Sequence, residues 1–328
     1  MKPFKILFFF LFVGLISCNN SKKQRYLPSS IGAINQVTIV MENELWKGEV
    51  GDQVRKHYAA MAIGLTWEEA IFTLNHVPPK VFSGALHNTR AIVYVEKDSV
   101  IKAGMKSEVY ATPQNMVVIK GITNEDLIAG IDATAKKAIA TFKSVELKET
   151  QKRLLISLNK EGVLEDKFNI SMSVPSIYKV DVQKDNFVWM SREIQKGHMN
   201  IMVYEIPLKN LSTDSTLVRD IVHMRDSIGA LHIPGPDVPN KVTHMRTEPA
   251  FSPSIFPIDI NGKKGIEVRG IWDIKNYPMA GPFLTYIIDD TENNRKLIIE
   301  GFTFAPATNK RDDMFSLEAI LKTIAFKK

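Results

Sequence analysis

The first half of the chain is organised by residues 116–145, whose sequence is M-V-V-I-K-G-I-T-N-E-D-L-I-A-G-I-D-A-T-A-K-K-A-I-A-T-F-K-S-V. The opening run, Met116–Lys120, has the β-branched composition of a strand. Thr123 or Asn124 then caps a helix, because acidic residues follow in the first turn, where negative charge suits the helix dipole. An apolar stripe at helical spacing continues to Val145. The stretch therefore predicts a strand that feeds a long amphipathic helix.

The same order of elements ends the chain, since Leu297–Phe304 predicts a strand and Ser316–Phe326 a helix. A composition of 45% hydrophobic and 24% charged residues is that of an ordinary globular protein. We therefore predict an α+β fold, with mixed and antiparallel sheets and amphipathic helices. The division falls into residues 29–160 and 161–328, and a duplication that makes the two halves related stays an open alternative.

Several local signals in the second half predict its elements. Phe168–Val174 and Phe187–Arg192 have the composition of strands. Thr213 or Asp214 predicts the start of a helix, and Gly229 predicts its end. Pro234–Pro257 contains six prolines, which fix φ and remove amide donors, so we predict a long irregular loop there.

The N-terminus has the pattern of an export signal. Lys2 and Lys5 precede an apolar run at residues 6–16, which is shorter than the roughly 20 residues that a membrane-spanning helix needs. The run ends in Leu-Ile-Ser-Cys at residues 15–18, which resembles a lipobox. That resemblance implies that residues 1–18 are a lipoprotein signal peptide and that Cys18 is the lipid attachment site. Residues 19–28 would then be a flexible tether.

Charge and cysteine usage limit the partners. The 42 basic and 36 acidic residues are too nearly balanced to indicate a nucleic-acid-binding protein. The densest basic cluster, at residues 22–25, lies inside the tether. We therefore expect no nucleic acid, a membrane contact through the lipid on Cys18, and an envelope protein as partner. Because Cys18 is the one cysteine, the body has neither a disulfide framework nor a cysteine metal site.

Sequence motifs for catalysis are absent. The chain contains no H-E-x-x-H, no G-x-S-x-G and no glycine-rich phosphate loop. We therefore predict no cofactor, no metal and no catalytic residue, and an enzyme is the less favoured interpretation. A hydrolase that uses the histidines and carboxylates of residues 223–248 is the third interpretation, after an interaction module and a ligand-binding protein.

A ligand-binding protein is the runner-up to the interaction module. Its binding cleft would be covered by Pro234–Pro257. Tryptophans line glycan and peptide sites but more often pack in a core, and the histidines of the loop are more often surface residues than ligands. The candidate ligand-binding residues are Trp189, His232, Asp237, His244, Glu248 and Trp272.

Several short segments carry a family resemblance: L-P-S-S-I-G at residues 27–32, E-L-W-K-G at 44–48, H-I-P-G-P at 232–236 and G-P-F at 281–283. Together with the lipobox they resemble an uncharacterised family of Bacteroidota lipoproteins, known as a domain of unknown function. The resemblance implies no activity. The residues after Cys18 are not acidic, which under this resemblance favours an anchor in the outer membrane facing the periplasm. We therefore predict a non-catalytic structural or interaction module of the cell envelope, with a binder of an envelope glycan, peptide or lipid as the alternative.

Overall fold

The computed structural model describes residues 26–65 and 67–327. The first half contains a five-stranded sheet and three helices, together with two 3₁₀ helices at Pro79–Val81 and Gly84–Asn88. Its elements in chain order are β1 (Gln36–Val40), α1 (Asn43–Lys47), α2 (Glu49–Tyr58), β2 (Thr73–Val77), β3 (Ala91–Lys97), β4 (Lys102–Ser107), β5 (Asn115–Gly121) and α3 (Asn124–Leu154).

The first sheet has the order β2-β1-β3-β5-β4 and is mostly parallel, with β4 antiparallel to β5. β1 and β3 are nearly continuous runs of buried apolar residues, as expected of parallel strands covered on both faces. On one face α2 and α3 pack their apolar stripes against the strands. The opposite face is covered by Phe82, Tyr110 and their neighbours.

The second half is built around an eight-stranded antiparallel sheet. Its elements are α4 (Val163–Phe168), β6 (Ile170–Ser171), β7 (Lys179–Lys184), β8 (Phe187–Ile194), β9 (Gly197–Pro207), α5 (Leu217–His232), β10 (Met245–Thr247), β11 (Ser254–Ile260), β12 (Lys263–Ile274), β13 (Tyr277–Asp290), a 3₁₀ turn at Thr291–Asn293, β14 (Arg295–Phe304), α6 (Arg311–Leu321) and β15 (Ala325–Phe326).

This second sheet has the order β10-β12-β13-β14-β9-β8-β7, with β11 paired alongside β12. α6 and α4 cover one face, and α5 covers the other. The predicted α+β class is confirmed. Both halves end with a strand that feeds a helix, β5 into α3 and β14 into α6, but the strand directions and orders of the two sheets differ.

α3 begins where the sequence predicts. Thr123 is its N-cap and forms a capping box with Asp126. The helix has 31 residues, which corresponds to a length of about 46 Å. Its stripe packs on the first sheet, and its C-terminal part also contacts α6, where Gln151 Nε2 donates to the Ala319 carbonyl at 3.2 Å. α6 therefore lies between the second sheet and α3 and belongs to both halves.

Each half contains a fully buried ion pair. Arg90 Nε donates to Glu146 Oε1 at 3.0 Å and fixes α3 to the start of β3. Arg225 Nη2 donates to Glu300 Oε1 at 2.6 Å and joins α5 to β14. Thr285 Oγ1 also donates to Glu300, at 2.7 Å. Burial of both partners makes each pair sensitive to the loss of one side chain.

Five local predictions were wrong in part. The predicted helix Ser316–Phe326 is displaced, since α6 ends at Leu321 and Phe326 lies in β15. α5 begins at Leu217, with Thr216 and not Thr213 or Asp214 as its N-cap. Gly229 does not end α5, which continues to His232. Phe168–Val174 is not a strand throughout, because Phe168 ends α4 and the strand is confined to Ile170–Ser171. Pro234–Pro257 is not wholly irregular, since β10 and the start of β11 lie inside it. Pro257 is tolerated in β11 because this strand pairs on one side only, with β12, and residues whose N–H would point away from β12 need no donor.

The predicted lipid attachment site, Cys18, lies outside the described residues. The body begins with Ser29 and Ile31, which bridge to Thr112 and Thr89 beside the first sheet. Within residues 26–65 and 67–327, no helix is both long and apolar enough to cross a membrane.

Candidate functional site

The two predicted tryptophans are packing residues in this fold. Trp272 on β12 is 2% exposed and lies edge-on to Phe302, with ring centroids 5.8 Å apart. Trp189 on β8 is half-buried against the core that α5 covers, and its Nε1 donates to Asn200 Oδ1 at 3.1 Å. Both side chains therefore contribute to one face of the second sheet.

The predicted histidines and carboxylates extend from His232, the last residue of α5, to Glu248, which directly follows β10. His232 is buried and stacks on Phe187 with centroids 4.1 Å apart, and burial lowers the pKa of its imidazole. His244 pairs with Pro234 through a backbone bridge, and Asp237 is exposed. Glu248 Oε1 accepts from the Ala250 amide at 3.0 Å, a local turn contact.

No hydrogen bond or ion pair joins any two of His232, Asp237, His244 and Glu248 in the part of the chain that the structure describes. Over the same residues, no group of three or more His, Cys, Asp or Glu side chains is placed to hold a metal ion. The loop therefore does not bring these four side chains together.

His223 lines a shallow hollow of about 390 Å³ along α5. Ser227 and Asp220 also line it, but the Ser227 hydroxyl donates to the backbone carbonyl of His223 at 2.8 Å, and Asp220 accepts from the Ser212 amide at 3.3 Å. These are local helix and cap contacts. The three side chains lie near each other without the relay that nucleophilic catalysis uses.

A further candidate site is a cleft between the two halves, with a volume of about 620 Å³. This is within the range of about 300–1,000 Å³ for small-molecule sites, which often lie at domain interfaces. α3 forms one wall, β11 and β12 the other, and α6 the floor. The lining residues are Met61, Ala62, Ile63, Leu65, Ile71, Ala140, Lys143, Ser144, Leu147, Phe256, Glu267, Arg269, Arg311, Met314, Phe315, Glu318 and Lys322.

Lys143 enters the cleft from α3. Its ammonium donates to Asn35 Oδ1 and to the Ile71 carbonyl, both at 2.8 Å, and lies 4.9 Å from the centroid of the Phe315 ring. Burial, with a smaller contribution from the charge of Arg311, lowers the pKa of Lys143 to about 8. The cleft therefore holds a desolvated cation whose direct partners are neutral oxygens.

Other charged side chains of the cleft form a network of ion pairs. Arg269 donates to Glu267 Oε1 at 2.5 Å and to Glu318 Oε2 at 2.8 Å, and Lys322 Nζ donates to Glu318 Oε1 at 2.6 Å. Burial alone would raise the pKa of Glu318, but the charges of Arg269 and Lys322 outweigh it and lower this pKa to about 2. Two cations face two carboxylates in this network, so its formal charges cancel.

Residues 61–65 form the outer wall of the cleft. Gly64 has φ +80°, and a Cβ at that position would lie 2.8 Å from Arg269 Cβ, so only glycine lets this segment approach β12 so closely. Leu65 packs into the core of the second half. Met61 and Ile63 are 58% and 55% exposed, and they give the rim an apolar surface.

The cleft is held in shape by contacts at the start of α6. The buried carboxylate of Glu69 accepts from the Lys310 amide at 2.8 Å and from the Arg311 amide at 2.9 Å. Arg311 also donates to the Ala70 carbonyl, and Asn35 Nδ2 donates to Asp312 Oδ1. A residue of the first half thus caps a helix of the second, and the two halves meet in a defined arrangement.

Comparison with protein families gives matches over both halves. Residues 157–323 match the domain of unknown function DUF4837, which is just over half of the 328 residues. The chain belongs to the DUF4837 family. Residues 30–155 match a second domain of unknown function, DUF8532. The prediction of an uncharacterised family is therefore confirmed.

Solved structures provide distant similarity to this DUF4837 member. One is the Ran-binding protein Mog1p of Saccharomyces cerevisiae, 11% identical over 48% of this chain and 90% of that chain, with a TM-score of 0.31. A mutant of Mog1 matches with the same identity and coverage and a TM-score of 0.30. No curated protein matches.

None of the six candidate ligand-binding residues lines the cleft of the DUF4837 member. The residues that line the cleft, such as Lys143 and Glu318, come from segments far apart in the chain. The contact that holds the start of α6 against the first half also joins distant positions, 69 and 310. Lys143 lies beside the apolar stripe of α3, where a lysine usually extends into solvent. No local pattern in the sequence marks it as a site residue.

Proposed function

We propose that the protein is a lipid-anchored, non-catalytic binding module of the cell envelope, and that the cleft between its halves holds a small ligand. The observation that carries the proposal is the cleft itself, an open cleft of about 620 Å³ with an apolar rim and charged groups that are held in place by their own partners. Side chains fixed before binding lose little freedom when a ligand arrives, and this favours affinity.

The anchoring part rests on the sequence. Residues 1–18 have the order of basic start, short apolar run and small residue before cysteine that lipoprotein signals share. Several acyl chains on Cys18 would give durable membrane attachment. Residues 19–28 would then separate the membrane from the body, and the location that fits best is the outer membrane, with the body in the periplasm.

Filling the cleft tests the binding part. Ala140 is an exposed alanine of α3 that lines the cleft, and Ala129 is an exposed alanine of the same helix that does not. The protein is purified from native membranes as wild type, Ala140→Trp and Ala129→Trp, and native mass spectrometry measures any small molecule carried with it. We expect the ligand with wild type and Ala129→Trp and its loss with Ala140→Trp.

Two results would count against the proposal. One is that all three proteins carry the same molecule, which would place it outside the cleft. The other is that none of the three proteins carries a small molecule and that added envelope extracts do not make wild type or Ala129→Trp more stable than Ala140→Trp. Urea unfolding of both variants confirms that the indole has not disrupted α3.

A further inference from the structure

We infer that the ligand of the cleft is an amphiphilic anion, an apolar chain with one carboxylate or phosphate head group, and that Lys143 binds the head group. The inference rests on the proposed function, because it names the chemical class of ligand for the same cleft. It is carried by the uneven distribution of charge and apolar surface along the cleft.

Among the cations that line the cleft, three already have carboxylate partners. Arg269 pairs with Glu267 and Glu318, and Lys322 pairs with Glu318. Arg311 pairs with Asp312, the residue that follows it. Each of these charges is therefore largely compensated before any ligand binds.

Lys143 differs from these three. In the described part of the chain its ammonium makes hydrogen bonds to two neutral oxygens, of Asn35 and Ile71, and no ion pair. An ammonium has three donors, so one remains for a ligand. Burial and the neighbouring charge of Arg311 lower the pKa of this side chain, and the carboxylates of Glu318, Asp312 and Glu146, none of which forms an ion pair with it, only partly offset them. An anion placed beside Lys143 would relieve both effects, whereas a cationic or uncharged head group would not.

The remainder of the cleft suits an apolar chain. Met314 and Phe315 lie on the floor between Arg311 and Glu318. Lys322 follows Arg311 by eleven positions and lies one residue beyond the end of α6, which corresponds to a rise of about 16 Å. Leu147, Met61, Ile63 and Phe256 line the same space. The ion pairs that Arg269 and Lys322 form in the lining carry balanced charge, so a single anionic head group at Lys143 is the complementary arrangement.

Direct binding measurements with chemically matched probes test this inference. Isothermal titration below the micelle concentration compares dodecanoate, dodecyl phosphate, dodecanol and dodecylammonium. We expect the two anions to bind wild type more tightly than dodecanol, and dodecylammonium to bind weakest. The two anions distinguish a fatty-acid-like ligand from a phosphate ester by which binds more tightly.

The variants identify the head-group site. Lys143→Met removes the charge but keeps an apolar chain beside the rings of Phe72 and Phe315, whose centroids lie 4.5 and 4.9 Å from the ammonium. Lys136→Met removes a charge at an exposed position of α3. We expect Lys143→Met to weaken anion binding about ten- to hundredfold, the size of a hydrogen bond to a charged group. Dodecanol should bind Lys143→Met and wild type equally, and Lys136→Met should bind the anions as wild type does. If Lys143→Met folds poorly, Lys143→Arg serves as the second variant and should retain most of the anion affinity.

Different failures have different meanings. The anion inference is overturned if dodecanol and dodecanoate bind equally, or if Lys143→Met and Lys136→Met have the same affinity for the anions. Loss of the copurified ligand in Ala140→Trp would still support the cleft as a binding site. Absence of binding by all four probes also overturns the inference. If Ala140→Trp in addition leaves the copurified ligand in place, the proposed function fails with it.

Discussion

The cap that Glu69 provides to α6 makes a prediction about stability. Glu69 lies in the first half, yet both of its carboxylate oxygens accept from the first amides of the last helix, at Lys310 and Arg311. Replacing Glu69 with alanine leaves these two buried N–H groups without their acceptor. It also removes a negative charge from the positive end of the helix dipole.

The expected cost follows from these contacts. Loss of an N-cap side chain costs about 0.5–2 kcal/mol, and each buried donor left unpaired costs about 1–3 kcal/mol. Water can enter the space left by the side chain and satisfy one amide, which places the estimate below the full sum. We therefore expect Glu69→Ala to lower the free energy of unfolding by about 2–4 kcal/mol.

Urea unfolding measures this loss, and Glu68→Ala is the matched control because Glu68 is the exposed neighbour. Hydrogen exchange adds a local readout, since the amides of Lys310 and Arg311 should lose protection in Glu69→Ala only. A change below about 0.5 kcal/mol, equal to that of Glu68→Ala, would refute the reasoning, because surface substitutions already have effects of that size.

The remaining predictions concern the buried charges and the anchor. Arg225→Met leaves the buried Glu300 carboxylate without its partner, so the free energy of unfolding in urea should fall by about 3–5 kcal/mol. The pKa of Glu318 is lowered from 4.5 to about 2, so its stabilising contribution is present above pH 4.5 and is lost as the pH falls towards 2. Acid titration of stability should therefore be shallower in Glu318→Gln than in wild type. Cys18→Ala should abolish incorporation of a labelled fatty acid and move the protein from the membrane to the soluble fraction.

Each of these has a control. Arg219→Met removes a surface arginine of α5 that is 65% exposed, and it should change stability little. An acid titration that runs parallel in wild type and Glu318→Gln would contradict the assignment of Glu318. Asn19→Ala alters the residue after the cysteine and should remain lipidated, so loss of label in both variants would point to failed export.

Local signals were sufficient where a helix or strand is specified by its own residues. α3 was predicted at its N-terminus because the Thr123 cap and the acidic first turn act within a few residues. The strands near Met116–Lys120, Phe187–Arg192 and Leu297–Phe304 were placed by their β-branched and aromatic composition. These elements do not depend on a distant contact for their type.

Gly229 shows why other predictions failed. A Cβ at this position would lie 2.2 Å from the Met245 carbonyl oxygen, so the glycine is present to let α5 approach β10 and not to end the helix. The reason lies 16 positions away in the chain. The cleft has the same character, because its walls come from α3, β12 and α6 and no short window of sequence contains more than one of them.

The order of the elements along the chain affects how the molecule folds. The residues of the first sheet and α3 precede Arg311, so in a chain that appears from its N-terminus, during synthesis or export, the Glu69 carboxylate at first has no helix to cap and Lys143 has no α6 beside it. A chain that stops before α6 lacks the layer on which both halves pack. Assembly of the cleft therefore waits for α6, and a chain truncated before Arg311 should unfold at a lower urea concentration than the full chain.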